Sequence, residues 1–196
     1  MDFGEVVRRR RMVRNFADAP VDRAVLERIA ATAQRAPSAG FSQGQRLVIV
    51  TDPERKRRVA EIAMEAEYVE AGYGPWLSRA PALFVPFVSE KVYRDRYDEP
   101  DKRPPGEEAI DWPVPYWFMD VGCTVMLILL AAVDEGLAAG FAGTADPSLL
   151  NAELSVPPDF VAVGVIPVGR ALPDKRSPSL KRGWRPLDEF ARWEAW

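Results

Sequence analysis

The chain has 196 residues, 47% of them apolar and 28% charged, with a formal net charge of -3. That length holds one sizeable core and is short for two, so a single domain over residues 1–196 is expected. The small net charge excludes a global attraction to nucleic acid or an anionic membrane surface, and the absence of histidine excludes Ser-His-Asp catalysis and every His-ligated metal centre.

Residues Met1 to Arg14 begin with an acidic residue and then turn strongly basic, without an apolar run or a small-residue cleavage site. With a single cysteine, Cys123, unable to form an internal disulfide and expected to be a small buried thiol, this points to a reducing, cytoplasmic setting. From Val21 to Ala36, apolar residues at Val25, Leu26, Ile29, Ala30 and Ala33 recur at helical spacing. Leu47 to Val50 reads as a strand. Thr51-Asp52-Pro53 then supplies a cap and a first-turn proline for a second helix reaching about Ala71. Ala82 to Val88 reads as another strand, with Pro86 suggesting a weakened or edge end.

Ser89 to Tyr116 is charged and proline-rich, with Trp112, Tyr116 and Trp117 near its end. A connection that long predicts a variable lid or binding loop over residues 89–116. Asp120 to Gly136 is helical and apolar on nearly every side, which places it at the centre of the core or in an interface. The apolar run from Trp117 to Val133 sits at the lower limit for a bilayer span and carries Asp120, so a buried helix is expected and no membrane. Asp146-Pro147 starts a short helix, and Val161 to Val168 is the last strand. Residues 170–196 form a C-terminal arm. Its aromatics Phe190, Trp193 and Trp196 need a surface to bury them, and an embrace with a second subunit supplies one. The fold class is α+β.

Three stretches bear on chemistry. Arg8-Arg9-Arg10-Arg11-Met12-Val13-Arg14, together with Arg182 and Arg185, offers guanidinium forks for a phosphate monoester; the alternative is two solvated basic faces. Ala36-Pro37-Ser38-Ala39-Gly40-Phe41-Ser42-Gln43 could bring backbone donors close to a planar heterocycle, or could be an ordinary helix stop. Gly136 to Gly143 would let a flat ring approach the main chain, and tight helix packing explains its small residues nearly as well.

In order and spacing these stretches resemble the FMN-dependent nitroreductases. Arg10-Arg11-Met12-Val13-Arg14-Asn15-Phe16 is similar to the family's Arg-Arg-Ser-x-Arg-x-Phe, with Met12 in place of serine. Ala36 to Gln45 is similar to its Ala-Pro-Ser-x-x-Asn-x-Gln-Pro-Trp motif, and Phe41 in place of asparagine resembles the branch that includes 5,6-dimethylbenzimidazole synthase. Gly136 to Gly143 looks like the glycine-rich stretch beside the flavin, and Arg182 with Arg185-Pro186-Leu187 like the C-terminal phosphate clamp.

The resemblance implies a nitroreductase-like central sheet flanked by helices, in an interlocked homodimer with FMN at the interface. It further implies that Arg10, Arg11, Arg14, Arg182 and Arg185 hold the phosphate, with Met12 at a cofactor-binding position where it lacks the serine hydroxyl's contact, while Pro37, Ser38, Ala39, Phe41, Gln43, Ala142 and Gly143 surround the ring or its polyol. NAD(P)H would be a transient donor. No dedicated nicotinamide domain is expected, because Gly72-Tyr73-Gly74 lacks the third glycine of the dinucleotide fingerprint. A small acceptor such as a nitroaromatic, quinone or enone would lie against Phe41 and, in the 89–116 segment that has no match in the family, against Trp112 or Tyr116; the alternative is that these aromatics belong to the core or an interface. Two other flavin functions share these implications: a synthase that fragments its own flavin, and a non-catalytic flavin-binding protein.

Overall fold

Short polar side chains start many of the helices in the computed structural model, which describes residues 1–196. The helices are α1 (Phe3–Arg9), α2 (Arg23–Ala33), α3 (Pro53–Ile62), α4 (Glu65–Glu70), α5 (Trp76–Arg79), α6 (Glu90–Tyr97), α7 (Tyr116–Asp134), α8 (Pro147–Glu153) and α9 (Leu187–Phe190). Asp2, Asp22, Asp52, Ser89 and Asp146 each accept from a backbone N–H that the first turn leaves unpaired, opening α1, α2, α3, α6 and α8. Pro53 and Pro147 occupy first-turn positions, where no donor is lost.

The strands β1 (Gln45–Val50), β2 (Ala82–Val88), β3 (Ala138–Ala139), β4 (Val161–Ala162) and β5 (Ile166–Gly169) form one sheet in the order β1-β2-β5-β3, with β4 also paired to β2. Every strand pair in it is antiparallel. Alternation along β2 sends Ala82 and Phe84 into a cluster with Leu26 and Ile29 of α2 and Ile128 of α7. Leu83, Val85 and Phe87 point the other way, toward Val59 of α3, Leu77 of α5 and Leu150 of α8. Helices thus cover both faces, as expected for the α+β class. Each fully buried Phe or Leu in these layers contributes about 1.5–3 kcal/mol.

Several expectations need correction. Pro86 does not mark an edge: β2 is buried at every position and has neighbours on both sides. The carbonyl of Pro86 accepts from Val163 N–H at 3.0 Å, so its missing donor faces the same side, where the ladder is already broken between β4 and β5. The single strand expected over Val161 to Val168 is accordingly two pieces, separated around Gly164 at φ 147°. The helix expected to reach Ala71 breaks at Met64, which is left-handed at φ 59°. Ser89 to Tyr116 is not all loop, since its first third is α6.

The apolar helix begins at Tyr116 and is not buried all round: Met119, Cys123 and Met126 lie on an exposed face, so Cys123 is an exposed thiol. This helix is long and apolar enough to cross a membrane, yet Val121, Ile128, Leu129 and Ala132 are buried inside the fold.

The basic segment before Phe16 runs along the sheet's β3 edge. Met12 bridges Ala139, and Val13 N–H donates to the Ala139 carbonyl at 3.1 Å. Val13 and Phe16 are buried in the core and anchor the arginines between and before them. Gly140 sits where this segment crosses: a Cβ there would lie 2.4 Å from the Val13 carbonyl oxygen and 2.7 Å from the Trp76 ring. Gly140→Ala should therefore lower stability by about 1–3 kcal/mol in denaturant unfolding. Gly74→Ala, with nothing within 4 Å of its Cβ, should leave the midpoint unchanged.

Candidate functional site

The two ends of the domain meet at the basic motif. Arg14 N–H donates to the Asp174 carboxylate at 2.6 Å, the Asn15 amide donates to the Pro173 carbonyl at 2.7 Å, and Leu172 N–H donates to the Asn15 carbonyl at 3.0 Å. This lays the Arg14 guanidinium 5.2 Å from the Tyr73 ring centre and 5.6 Å from that of Trp76. The Arg14 Nε is buried and has no hydrogen-bond partner, and neither has the Trp76 Nε1. A buried unpaired donor costs about 1–3 kcal/mol, which an anionic acceptor would relieve.

Lys175, which sequence reasoning did not single out, joins this cluster. Its Nζ donates to the Ala71 carbonyl at 2.9 Å and lies 5.1 Å from the Tyr73 ring centre. Beside it is a cavity of about 570 Å³ lined by Tyr68, Tyr73, Ala71, Gly143 and Thr144, within the size range of small-ligand sites. Arg10 is half-buried and Arg11 exposed, both without an ion-pair partner. Met12 bridges the sheet edge through its backbone. Ala142 is fully buried, and its N–H and C=O are both spent on Val165. It forms the wall behind Gly143 and offers no surface of its own.

The Trp76 wall is held from below by Glu65. One carboxylate oxygen accepts from Leu77 N–H at 2.6 Å and Ser78 N–H at 2.9 Å, and the other from the Ser78 hydroxyl at 2.6 Å, which caps α5 from outside the helix.

The second motif is built elsewhere. Gly40 and Phe41, in a tight 3-10 turn over Ala39–Phe41, and Gln43 just after it have positive φ, at 59°, 56° and 52°. For Phe41 and Gln43 that conformation costs on the order of 1–2 kcal/mol each. The Ser38 hydroxyl accepts from Gln43 N–H at 2.9 Å, and the Ser42 hydroxyl donates to the Ala39 carbonyl at 2.6 Å. The Phe41 ring is left 74% exposed. Pro37 offers its carbonyl to the Gln45 amide at 3.1 Å. Gln43 lines a different cavity of about 540 Å³, with Ala30, Gln34, Ala36, Arg46 and Thr124.

Trp112 packs at 4.6 Å from the Tyr97 ring, 5.8 Å from Tyr116 and 6.1 Å from Trp117, so the far end of residues 89–116 is an aromatic cluster bound to α6 and α7. Arg182, at the end of a 3-10 turn over Pro178–Arg182, and Arg185 are exposed. Arg185 pairs only with Glu189, and no hydrogen bond or ion pair joins either residue to Arg10, Arg11 or Arg14. The two motifs and the tail are therefore separate surfaces of one chain.

The profile described as "Nitroreductase family" matches residues 7–170, from the basic motif through the end of the sheet. The chain belongs to the nitroreductase family. It is 28% identical to an FMN reductase [NAD(P)H] of Bacillus subtilis strain 168 over 81% of this chain and 50% of that protein, so it spans about half the length of that relative. It is 28% identical to the 5,6-dimethylbenzimidazole synthase of Rhodospirillum rubrum over 90% of this chain and 85% of the synthase. In fold it resembles a nitroreductase from Exiguobacterium sibiricum 255-15 solved in complex with FMN, at a TM-score of 0.77 and 19% identity over 99% of this chain and 98% of that one.

The wall behind Arg14 gives a direct check on this geometry. Glu65→Ala removes the acceptor of Leu77 N–H, Ser78 N–H and the Ser78 hydroxyl, so it should destabilise the domain by about 1–3 kcal/mol. The loss should appear in denaturant unfolding; an unchanged midpoint would show that Glu65 does not hold Trp76 in place.

Proposed function

We propose that this nitroreductase-family chain is an FMN-dependent oxidoreductase, taking hydride from NAD(P)H and delivering it to a small electrophilic acceptor such as a nitroaromatic, quinone or enone. The observation that carries the reading is the unpaired, buried Arg14 Nε beside a glycine-edged cavity. The residues present fit FMN: Arg10, Arg11 and Arg14 supply a forked donor set for its phosphate, and Gly143 leaves room for a close approach of the ring. The likeness to an FMN reductase supports this choice of cofactor.

The cofactor, when bound, supplies the hydride chemistry, so a chain without histidine lacks nothing required for it. The protein's part is placement. Arg14, clamped at its backbone by Asp174, presents a donor already stripped of water. Phe41 projects from a fixed loop as one wall of the site, and Trp112 and Tyr116 cover the acceptor and keep water from it. One open face would serve donor and acceptor in turn.

A ligand that touches both motifs needs two copies of the chain, because a single copy holds them on separate cavities. We assign the partner as a second copy, with Pro37, Ser38, Ala39, Phe41 and Gln43 of one subunit facing Arg14 and Gly143 of the other. The arm, carrying Arg182 and Arg185, reaches across. Its Trp184, Trp193 and Trp196 are each at least 90% exposed in the single chain. A second reading, the flavin-fragmenting synthase, draws on Phe41 and on the extended match to the Rhodospirillum rubrum enzyme.

The purified protein should be yellow, bleach anaerobically on addition of NADH or NADPH, and recover its colour on addition of a quinone. Arg14→Gln should raise the FMN dissociation constant about 10- to 150-fold, the loss of one charged hydrogen bond of about 1.5–3 kcal/mol. A colourless protein with no affinity for FMN would overturn the reading, and release of a benzimidazole from the reduced protein in air would select the synthase. Truncation after Gly183 should convert a dimer to a monomer in sedimentation and release FMN; a truncated dimer would remove the arm from the interface.

A further inference from the structure

Asp120, buried in sequence terms within the apolar run of α7, has a role that the family motifs do not include. One of its carboxylate oxygens, Oδ2, accepts from the Tyr93 hydroxyl at 2.9 Å and from Ala39 N–H at 2.9 Å. Three elements, α6, α7 and the Pro37–Gln43 loop, are thereby joined at one atom. Burial, and then the Asp120 carboxylate, push the Tyr93 phenol well above the usual tyrosine range, so its hydroxyl stays a donor at any working pH.

The same loop is gripped a second time one residue on. Arg96 Nε donates to the Gly40 carbonyl at 3.1 Å, and the Arg96 guanidinium is itself fixed by two bonds to Asp101 at 2.6 and 2.7 Å. The underside of the loop admits nothing larger than glycine. A Cβ on Gly40 would lie 2.6 Å from the Tyr97 ring, and one on Gly44 2.5 Å from the Tyr93 ring. Phe41 is thus bracketed: Ala39 N–H and Gly40 C=O, both just before it, are tied to α7 and α6, and its left-handed backbone has no freedom to relax.

We propose that Asp120 and Tyr93 are a positioning pair. They set the loop that faces the flavin and, through Arg96, Tyr97 and Trp112 on the same helix and its following segment, couple that loop to the acceptor-covering residues 98–116. The pair touches neither cofactor nor acceptor. It acts by holding the strained Phe41 and the Ser38–Gln43 backbone in the one position in which they would meet the flavin. This inference rests on the flavin reading for the identity of what the loop faces.

The test uses the full-length protein and two variants. Tyr93→Phe removes only the hydroxyl, and Asp120→Asn keeps the shape while removing the charge and one acceptor position. Both should weaken FMN binding, Asp120→Asn by about tenfold and Tyr93→Phe by less, and both should alter the visible circular dichroism of the bound flavin, which reports the ring's surroundings. The double variant should be no weaker than Asp120→Asn alone, because both act through one carboxylate. Lys91→Gln, on the solvent side of α6, should match the wild type in both measurements. Folding is followed separately by thermal unfolding; were Asp120→Asn to unfold, the Tyr93→Phe spectrum still decides. Unchanged FMN affinity and flavin dichroism in a folded Tyr93→Phe protein would overturn the positioning role and leave the flavin reading standing. Failure of the wild type to bind FMN would remove both.

Discussion

The bond from Arg14 N–H to the Asp174 carboxylate is the constraint on which the candidate site depends. It closes the domain by tying its first extended segment to the segment that leaves the last strand, and the bonds of Asn15 to Leu172 and Pro173 repeat the tie one residue on. Because Val13 and Phe16 are at the same time sunk in the core, the backbone of residue 14 has nowhere to move. Its side chain is therefore presented, not merely available. A guanidinium held between two aromatic rings with one donor buried and unpaired is unfavourable by itself, and such a group persists only where the surrounding structure over-determines it.

The Pro37–Gln43 loop is over-determined in the same way. Two non-glycine residues in the left-handed region raise the energy of the turn, and the bonds of Asp120 and Arg96, with the close packing of Tyr93 and Tyr97 beneath, offset that strain. Phe41 follows as a consequence: a large ring that the fold could not bury is held out in water. Both motifs thus have a rigid backbone beneath a group that is unsatisfied in the single chain, which is the arrangement expected of surfaces completed by a ligand or another protein.

What was legible in the sequence is what local chemistry decides. Asp52 and Asp146, each before a first-turn proline, cap the helices they precede, and the apolar period of α2 reads directly onto the face that packs against α7. Helix α6 carries Glu90 with Arg94 and Lys91 with Asp95 one turn apart, a helical signal masked by the charged, proline-rich stretch that follows it. The sheet order was not readable, because β2 lies between strands far from it in the chain and Pro86 is tolerated only through a break in a partner ladder. Nor was the role of Asp120, whose partners stand 27 and 81 residues away. Lys175 reached the site by the same kind of long return. The arginines were legible as chemistry but not as geometry: Arg14 is placed by the core, whereas Arg182 and Arg185 lie farther along the arm, beyond Leu172, Pro173 and Asp174, and form no hydrogen bond or ion pair with the basic motif.

That arm sets the energetic case for a second chain. Leu187 and Phe190 are more than three-quarters exposed, and Trp184, Trp193 and Trp196 nearly or fully so. Full burial of side chains of this kind yields about 1.5–3 kcal/mol each. Against this, ordering the arm costs about 1–2 kcal/mol per residue for any part that is mobile in the free chain. The two terms are close in size, so the arm gains a fixed position only if it meets an apolar surface that is already rigid. The exposed face of α7, with Met119 and Met126 on a helix whose other side is locked into the core, is such a surface. The same helix carries Asp120, the residue after Met119. On the proposed reading, docking of the arm and placement of the flavin-facing loop are two uses of one helix, its exposed face serving the first and the Asp120 carboxylate the second.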